Sequence, residues 1–194
     1  MLKQISGWLS QISNGWVALT ALLIFGLFIA LILPVQSAQT KANSNGAASP
    51  DMSFFYSAND LYHMAEAYGE QGRAVYIRIR FTFDVIWPLV YVFFLATCIS
   101  WVDRKAYPKD SQWQLMNLAP LAAGVFDYLE NLCTAFVMYR YPAHTAVVDS
   151  LAPIFTMAKW GILSGSFIIL FVGIIIAAFQ LRSGMQQDKE KEQS

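Results

Sequence analysis

Two carboxylates and an amide lie near the centre of one apolar segment of this chain. Asp127, Glu130 and Asn131 are spaced i, i+3 and i+4, so they share one face of a helix. The segment around them, 115–138, is long enough to cross a bilayer, which takes about 20 apolar residues. A charge at that depth costs at least about 2.5–3.5 kcal/mol. The three side chains are therefore expected to face the protein interior and to have partners there.

A lysine in the next apolar segment, 151–181, is the expected partner of these acids. Glu130 and Lys159 each lie about eight residues, or roughly 12 Å, from the turn that joins the two segments. Segments joined by a short turn are usually neighbours, so Lys159 should contact Glu130 or Asp127. Such a pair either neutralises a necessary charge or marks a substrate or proton path. Two carboxylates one turn apart also require a nearby cation or a bound proton.

A second group of polar side chains belongs to an earlier apolar segment. Asp84 and Tyr91 lie seven residues apart on one helix face and are expected to form another wall of the same site. Three arginines precede or border this segment: Arg73, Arg78 and Arg80. Their head groups either reach lipid phosphates at the membrane surface or form the rim of an anion-binding site over an outward-facing cleft.

The composition excludes several classes of protein. Of 194 residues, 56% are hydrophobic and 13% are charged, whereas soluble domains carry about 25% charged residues. The formal net charge is zero, so nucleic acid is not an expected partner. No spacing of His and Cys is typical of a metal site, and no cofactor is expected. Membrane lipids are the expected partners, and other membrane subunits or a second copy of the chain remain open.

Four apolar blocks predict an all-α fold, a four-helix transmembrane bundle within a single membrane domain over residues 1–182. The spans are predicted at 16–35, 81–102, 115–138 and 151–181. The polar tail, 183–194, is expected to be disordered. The first block could instead be a signal peptide, but its apolar run is longer than the usual core of such peptides.

The predicted outer loop, 37–80, has two parts. Residues 37–52 are small and polar and predict a flexible linker. Ser57 and Asp60 have the spacing of a capping box, which predicts a short extramembrane amphipathic helix over 58–68 between the first two spans. A small excess of Lys and Arg in the alternate segments places both termini in the cytoplasm and the protein in the cell membrane.

Two longer stretches resemble a family of small bacterial four-helix membrane proteins of uncharacterised function. They read AYGEQGRAVYIRIRFTFDVIWPLVY, from Ala67 to Tyr91, and LAPLAAGVFDYLEN, from Leu118 to Asn131. The resemblance implies that the Gly-Arg segment, Asp84, Pro88 and the FDYLEN motif belong to one pattern. It implies a fold but no activity.

These features favour a multi-pass membrane protein with an outward-facing polar pocket that binds a small amphiphile or lipid. Asp127 and Glu130 would form its floor, and Arg78 and Arg80 its rim. An accessory subunit of a larger membrane complex and a proton-coupled carrier are the alternatives, and the residues do not decide whether the protein is an enzyme. A cavity that reaches Asp127 would favour the pocket, whereas a fully packed interior would favour the subunit.

Overall fold

The structure is a computed structural model that describes residues 1–108 and 111–192, with 184–192 described by their backbone only. The described part is all-α. Its α-helices are α1 Leu2–Ile12, α2 Gly15–Leu27, α3 Leu33–Asn43, α4 Ala58–Arg80, α5 Phe83–Ala106, α6 Ala119–Arg140 and α7 Val148–Glu192. A π-helical turn, Phe28–Ile32, joins α2 to α3, and 3₁₀ turns cover Pro50–Met52 and Gln112–Leu118.

Four helical segments are long and apolar enough to cross a membrane, as the sequence predicts. They are Gly15–Asn43, Ala58–Ala106, Gln112–Arg140 and Val148–Ser183. Helices α5, α6 and α7 pack against one another, and α2 packs against α5. The protein is therefore a membrane-embedded four-helix bundle.

The first span continues further than the sequence predicts. Residues 37–43 were expected to begin a flexible linker, and that prediction is wrong because they form most of α3. Their polar side chains support the helix: Thr40 donates to the Gln36 carbonyl at 3.1 Å, and Asn43 donates to the Gln39 carbonyl at 2.8 Å. The chain then turns sharply after Asn43.

The predicted extramembrane helix begins where the capping box places it, at Ala58 after Ser57. Gly69, with φ +64°, kinks the helix one residue after its predicted end. The chain then resumes the helix as far as Arg80, which the sequence did not predict. Helix α4 packs along α6, and α5 follows after a break at residues 81–82.

The N-terminal end of the chain also differs from expectation. Helix α1 was not predicted. It packs against the 112–118 turn, where Asn117 donates to the Ser6 carbonyl at 3.1 Å. The backbone of α7 is described as far as Glu192, and the disordered tail expected over 183–194 stays a prediction. The side chains from 184 onward lie outside the described part.

The glycines of the helices differ in whether a neighbouring element packs closely against them. A Cβ built on Gly72 would lie 2.3 Å from the carbonyl oxygen of Asn43, so this glycine allows α4 to approach the end of α3. A Cβ on Gly161 or Gly165 would meet no described atom within 4 Å. Gly161 and Gly165 have the small-xxx-small spacing that often lets two helices approach closely, but no described helix approaches them in this way.

Gly72→Ala should lower the thermal unfolding midpoint of the detergent-solubilised protein. The new methyl group overlaps backbone that cannot move independently, and overpacking costs about 1–3 kcal/mol. Gly161→Ala is the matched control, because the same change there meets open space and gains helix propensity. Equal midpoints for the two variants would contradict the close approach of α3 and α4.

Candidate functional site: a buried ionic network

The predicted contact between α6 and α7 is present. Lys159 Nζ lies 2.5 Å from Glu130 Oε2 and 3.6 Å from Asp127 Oδ1. At most 5% of each residue is exposed. These three residues, the lysine trio, place one cation between two carboxylates.

A second trio surrounds Arg80 at the end of α4. Arg80 Nη2 donates to Asp51 Oδ2 at 2.7 Å, and Arg80 Nε lies 3.1 Å from Asp84 Oδ2. The guanidinium also packs over the ring of Tyr76, 4.4 Å from its centroid, and the Tyr76 hydroxyl donates to Asp51 Oδ1 at 3.1 Å. Arg80, Asp51 and Asp84 form the arginine trio.

Asn131 joins the two trios. Arg80 Nη1 donates to Asn131 Oδ1 at 3.1 Å, and Asn131 Nδ2 donates to Asp127 Oδ1, also at 3.1 Å. Tyr91 extends the contacts to α5, because its hydroxyl donates to Asp127 Oδ2 at 3.0 Å. The predicted site residues of α5, α6 and α7 thus belong to one continuous polar network.

The network contains more acids than cations. Each trio has two carboxyl groups and one cation, so each carries one surplus negative charge when fully ionised. Uncompensated charge is costly in a buried environment, so the surplus must be met by bound protons or by an added cation. The arrangement can therefore hold protons or bind a positively charged or hydrogen-bonding group.

Asp51 is the one acid of the network outside the membrane-spanning segments. Burial alone would raise the pKa of Asp51, but the positive charges of Arg80 and Lys159 outweigh that effect and hold this pKa below its ordinary value. Asp51 is therefore ionised at neutral pH, and its charge fixes the 3₁₀ turn at 50–52 to the end of α4.

The three arginines of the predicted anion-binding rim lie in different surroundings. Arg73 donates to the Ala65 carbonyl at 2.9 Å and packs over the ring of Tyr141, whereas Arg78 is exposed. Arg80 is buried between two carboxylates, which already occupy the donors that an anion would need. The three arginines therefore have separate roles, and only Arg80 reaches the polar network.

A cavity of about 140 Å³ lies between the two trios. Its charged lining includes Arg80, Asp84, Asp127 and Lys159, and aromatic rings form much of the remaining wall. A second cavity of about 270 Å³ lies between α3 and residues 47–53 and shares lining residues such as Leu33 and Asp84 with the first. The buried network is thus adjacent to open space.

Sequence reasoning missed two members of this network. Asp51 was assigned to a linker, and nothing in the local sequence indicates that residues 50–52 pack against α4. Tyr76 had a usable signal, because Tyr76 and Arg80 are spaced i, i+4 and share a helix face. The second half of α4 was not recognised as a helix, so that spacing was not used.

Fold and site together define a multi-pass membrane protein with a buried ionic network beside a cavity. Comparison with protein-family models, curated proteins and solved structures found no match for this chain. A functional argument therefore depends on the network and the cavity themselves.

Proposed function

We propose that this protein binds the polar head of a small amphiphile in the cavity between the two trios. The observation that carries the proposal is the cavity's mixed lining, which combines Asp84 and Asp127 with apolar side chains such as Leu33, Trp87 and Leu163. Binding pockets for small molecules commonly combine a few convergent polar groups with apolar walls. With the termini in the cytoplasm, this cavity lies toward the outer side of the membrane.

The far side of the cavity favours a closed pocket over a carrier pathway. Below Tyr91, the next turns of α5 bury Phe94, Leu95 and Ile99 in an apolar cluster. The next buried acid on α5 is Asp103, twelve residues or roughly 18 Å further along the helix. The stretch of α5 in between buries the hydroxyls of Thr97 and Ser100 but has no Asp, Glu or His, so it lacks the ionisable side chains that mark proton relays through membranes.

The exposed faces of α2 and α7 are compatible with lipid and also with an accessory subunit that packs against other chains. Large apolar side chains such as Leu23, Ile168 and Phe171 are exposed there. A subunit with a purely structural role would be expected to fill its own interior. The cavity beside the charged network therefore supports ligand binding as the better interpretation.

Native mass spectrometry of the protein in a mild detergent tests this proposal. The wild type should retain an amphiphile at a one-to-one ratio. Leu163→Trp should lose that mass, because the larger ring fills the cavity that Leu163 lines. Ile168→Trp, on the exposed face of the same helix, should keep it.

Two results would overturn the proposal. One is a wild-type protein with no bound amphiphile, and the other is full retention by a folded Leu163→Trp variant. Retained partner chains in place of an amphiphile would support the accessory-subunit alternative.

A further inference from the structure

We infer that the head group bound in this cavity is an ammonium, which deepens the proposed function and depends on it. The key residue is Asp84, which is 7% exposed and lines both cavities. Within the described residues, its carboxylate accepts no hydrogen bond, and its one ion pair is the 3.1 Å contact between Oδ2 and Arg80 Nε. Asp84 Oδ1 is therefore available to an ammonium donor in the cavity.

The charge distribution around the cavity also favours a cation. Arg80 and Lys159 line it, but each already contacts two carboxylates. The surplus charge of both trios is negative, so an ammonium placed between them would reduce it. An anionic head group would increase the surplus and would have to displace carboxylates from Arg80 or Lys159.

The uncharged walls are suited to the same ligand. Phe83, Trp87, Tyr91 and Trp160 line the 140 Å³ cavity. Trp87 is stacked with Phe28 and Phe83, at centroid distances of 5.5 and 6.4 Å, and meets Tyr91 edge-on at 5.7 Å. Aromatic faces attract ammonium groups electrostatically, and sites for quaternary ammonium ligands are built from such rings. Carboxylate and aromatic surfaces thus converge on one space.

Ligands that share a dodecyl tail and differ only in the head group test the inference on the purified full-length protein. Dodecylamine and dodecyltrimethylammonium should bind at least about tenfold more tightly than dodecanol, and dodecyl phosphate should bind most weakly. Binding is followed by the change in tryptophan fluorescence, since Trp87 and Trp160 line the cavity. Tetramethylammonium, which has no tail, separates an amphiphile site from a site for small soluble amines.

Asp84→Asn should remove most of the preference for the two ammonium ligands over dodecanol. Glu66→Gln, which neutralises an exposed acid away from the cavity, should leave the preference unchanged. Trp87→Leu supplies a second variant, and it should weaken dodecyltrimethylammonium more than dodecanol because it removes an aromatic face.

The outcomes separate the two proposals. If no member of the series binds, the proposed function itself is wrong. If dodecanol or dodecyl phosphate binds as tightly as the ammonium ligands, amphiphile binding stands and the inference about the head group is overturned. An undiminished ammonium preference in Asp84→Asn would likewise overturn the assignment of Asp84.

Discussion

Lys159→Met should destabilise the protein by about 3–5 kcal/mol, which is the usual cost of removing one partner from a buried ion pair. The lysine ammonium is the one cation in contact with Glu130 and Asp127 among the described residues. Methionine fills a similar volume but leaves two buried carboxylates without a counter-charge. Thermal unfolding in detergent measures the loss, and Lys3→Met, at an exposed position, is the control.

A compensated variant distinguishes stranded charge from lost packing. Lys159→Met combined with Asp127→Asn and Glu130→Gln removes the cation and both acids together. This triple variant should recover much of the stability that the single variant loses, because an absent ion pair costs less than a broken one. A single variant as stable as wild type would show that the carboxylates are already neutral and that the lysine does not compensate them.

Arg80→Leu should have an effect of similar size, about 3–5 kcal/mol, for the same physical reason. It strands Asp51 and Asp84 and removes the donor to Asn131 Oδ1. Arg78→Leu is a closely matched control, since Arg78 lies two residues earlier on the same helix and is exposed.

The arginine variant should also change local order. Asp51 is held by Arg80 at 2.7 Å and by the Tyr76 hydroxyl, so loss of the guanidinium should release residues 47–53. Faster hydrogen exchange in that segment, with unchanged exchange in α6, is the expected result in Arg80→Leu. Equal exchange and equal stability in the Arg78 and Arg80 variants would contradict the arginine trio.

The contact between Lys159 and Glu130 could be predicted because it depends on two simple quantities. One is depth along a helix of known rise, and the other is the short turn that makes α6 and α7 neighbours. The position of Asp127 and Asn131 on the same helix face as Glu130 could be predicted from helical spacing alone. Where helices are long, apolar and consecutive, the sequence carries enough information to place polar side chains together.

The arginine trio could not be predicted in this way, because it is assembled by a segment that is neither apolar nor periodic. Asp51 lies on a 3₁₀ turn that folds back against Arg80, 29 residues away in sequence. Its polar neighbours resemble those of a flexible linker, and only the tertiary contact orders them. Arg80 was expected either at lipid head groups or on the rim of an anion site for a related reason: its two acidic partners are what make its burial favourable.

The π-helical turn Phe28–Ile32 shifts the helix face that the first span presents beyond it. Ala18 and Ala21 are buried in the core that includes α5. In an uninterrupted helix with 3.6 residues per turn, that face would continue through Gln36 and Gln39. One extra residue in the turn moves the continuing face to Ser37 and Thr40, which line the cavity together with Gln36, whereas Gln39 is not among its lining residues.

Which residues of the first span line the cavity therefore depends on the number of residues in the span as well as on their identity. A single insertion or deletion between Leu27 and Leu33 would rotate the cavity-facing side of α3 by about 100° relative to α2, since each residue adds that angle to a helix. The lining would then change at several positions without any substitution among them.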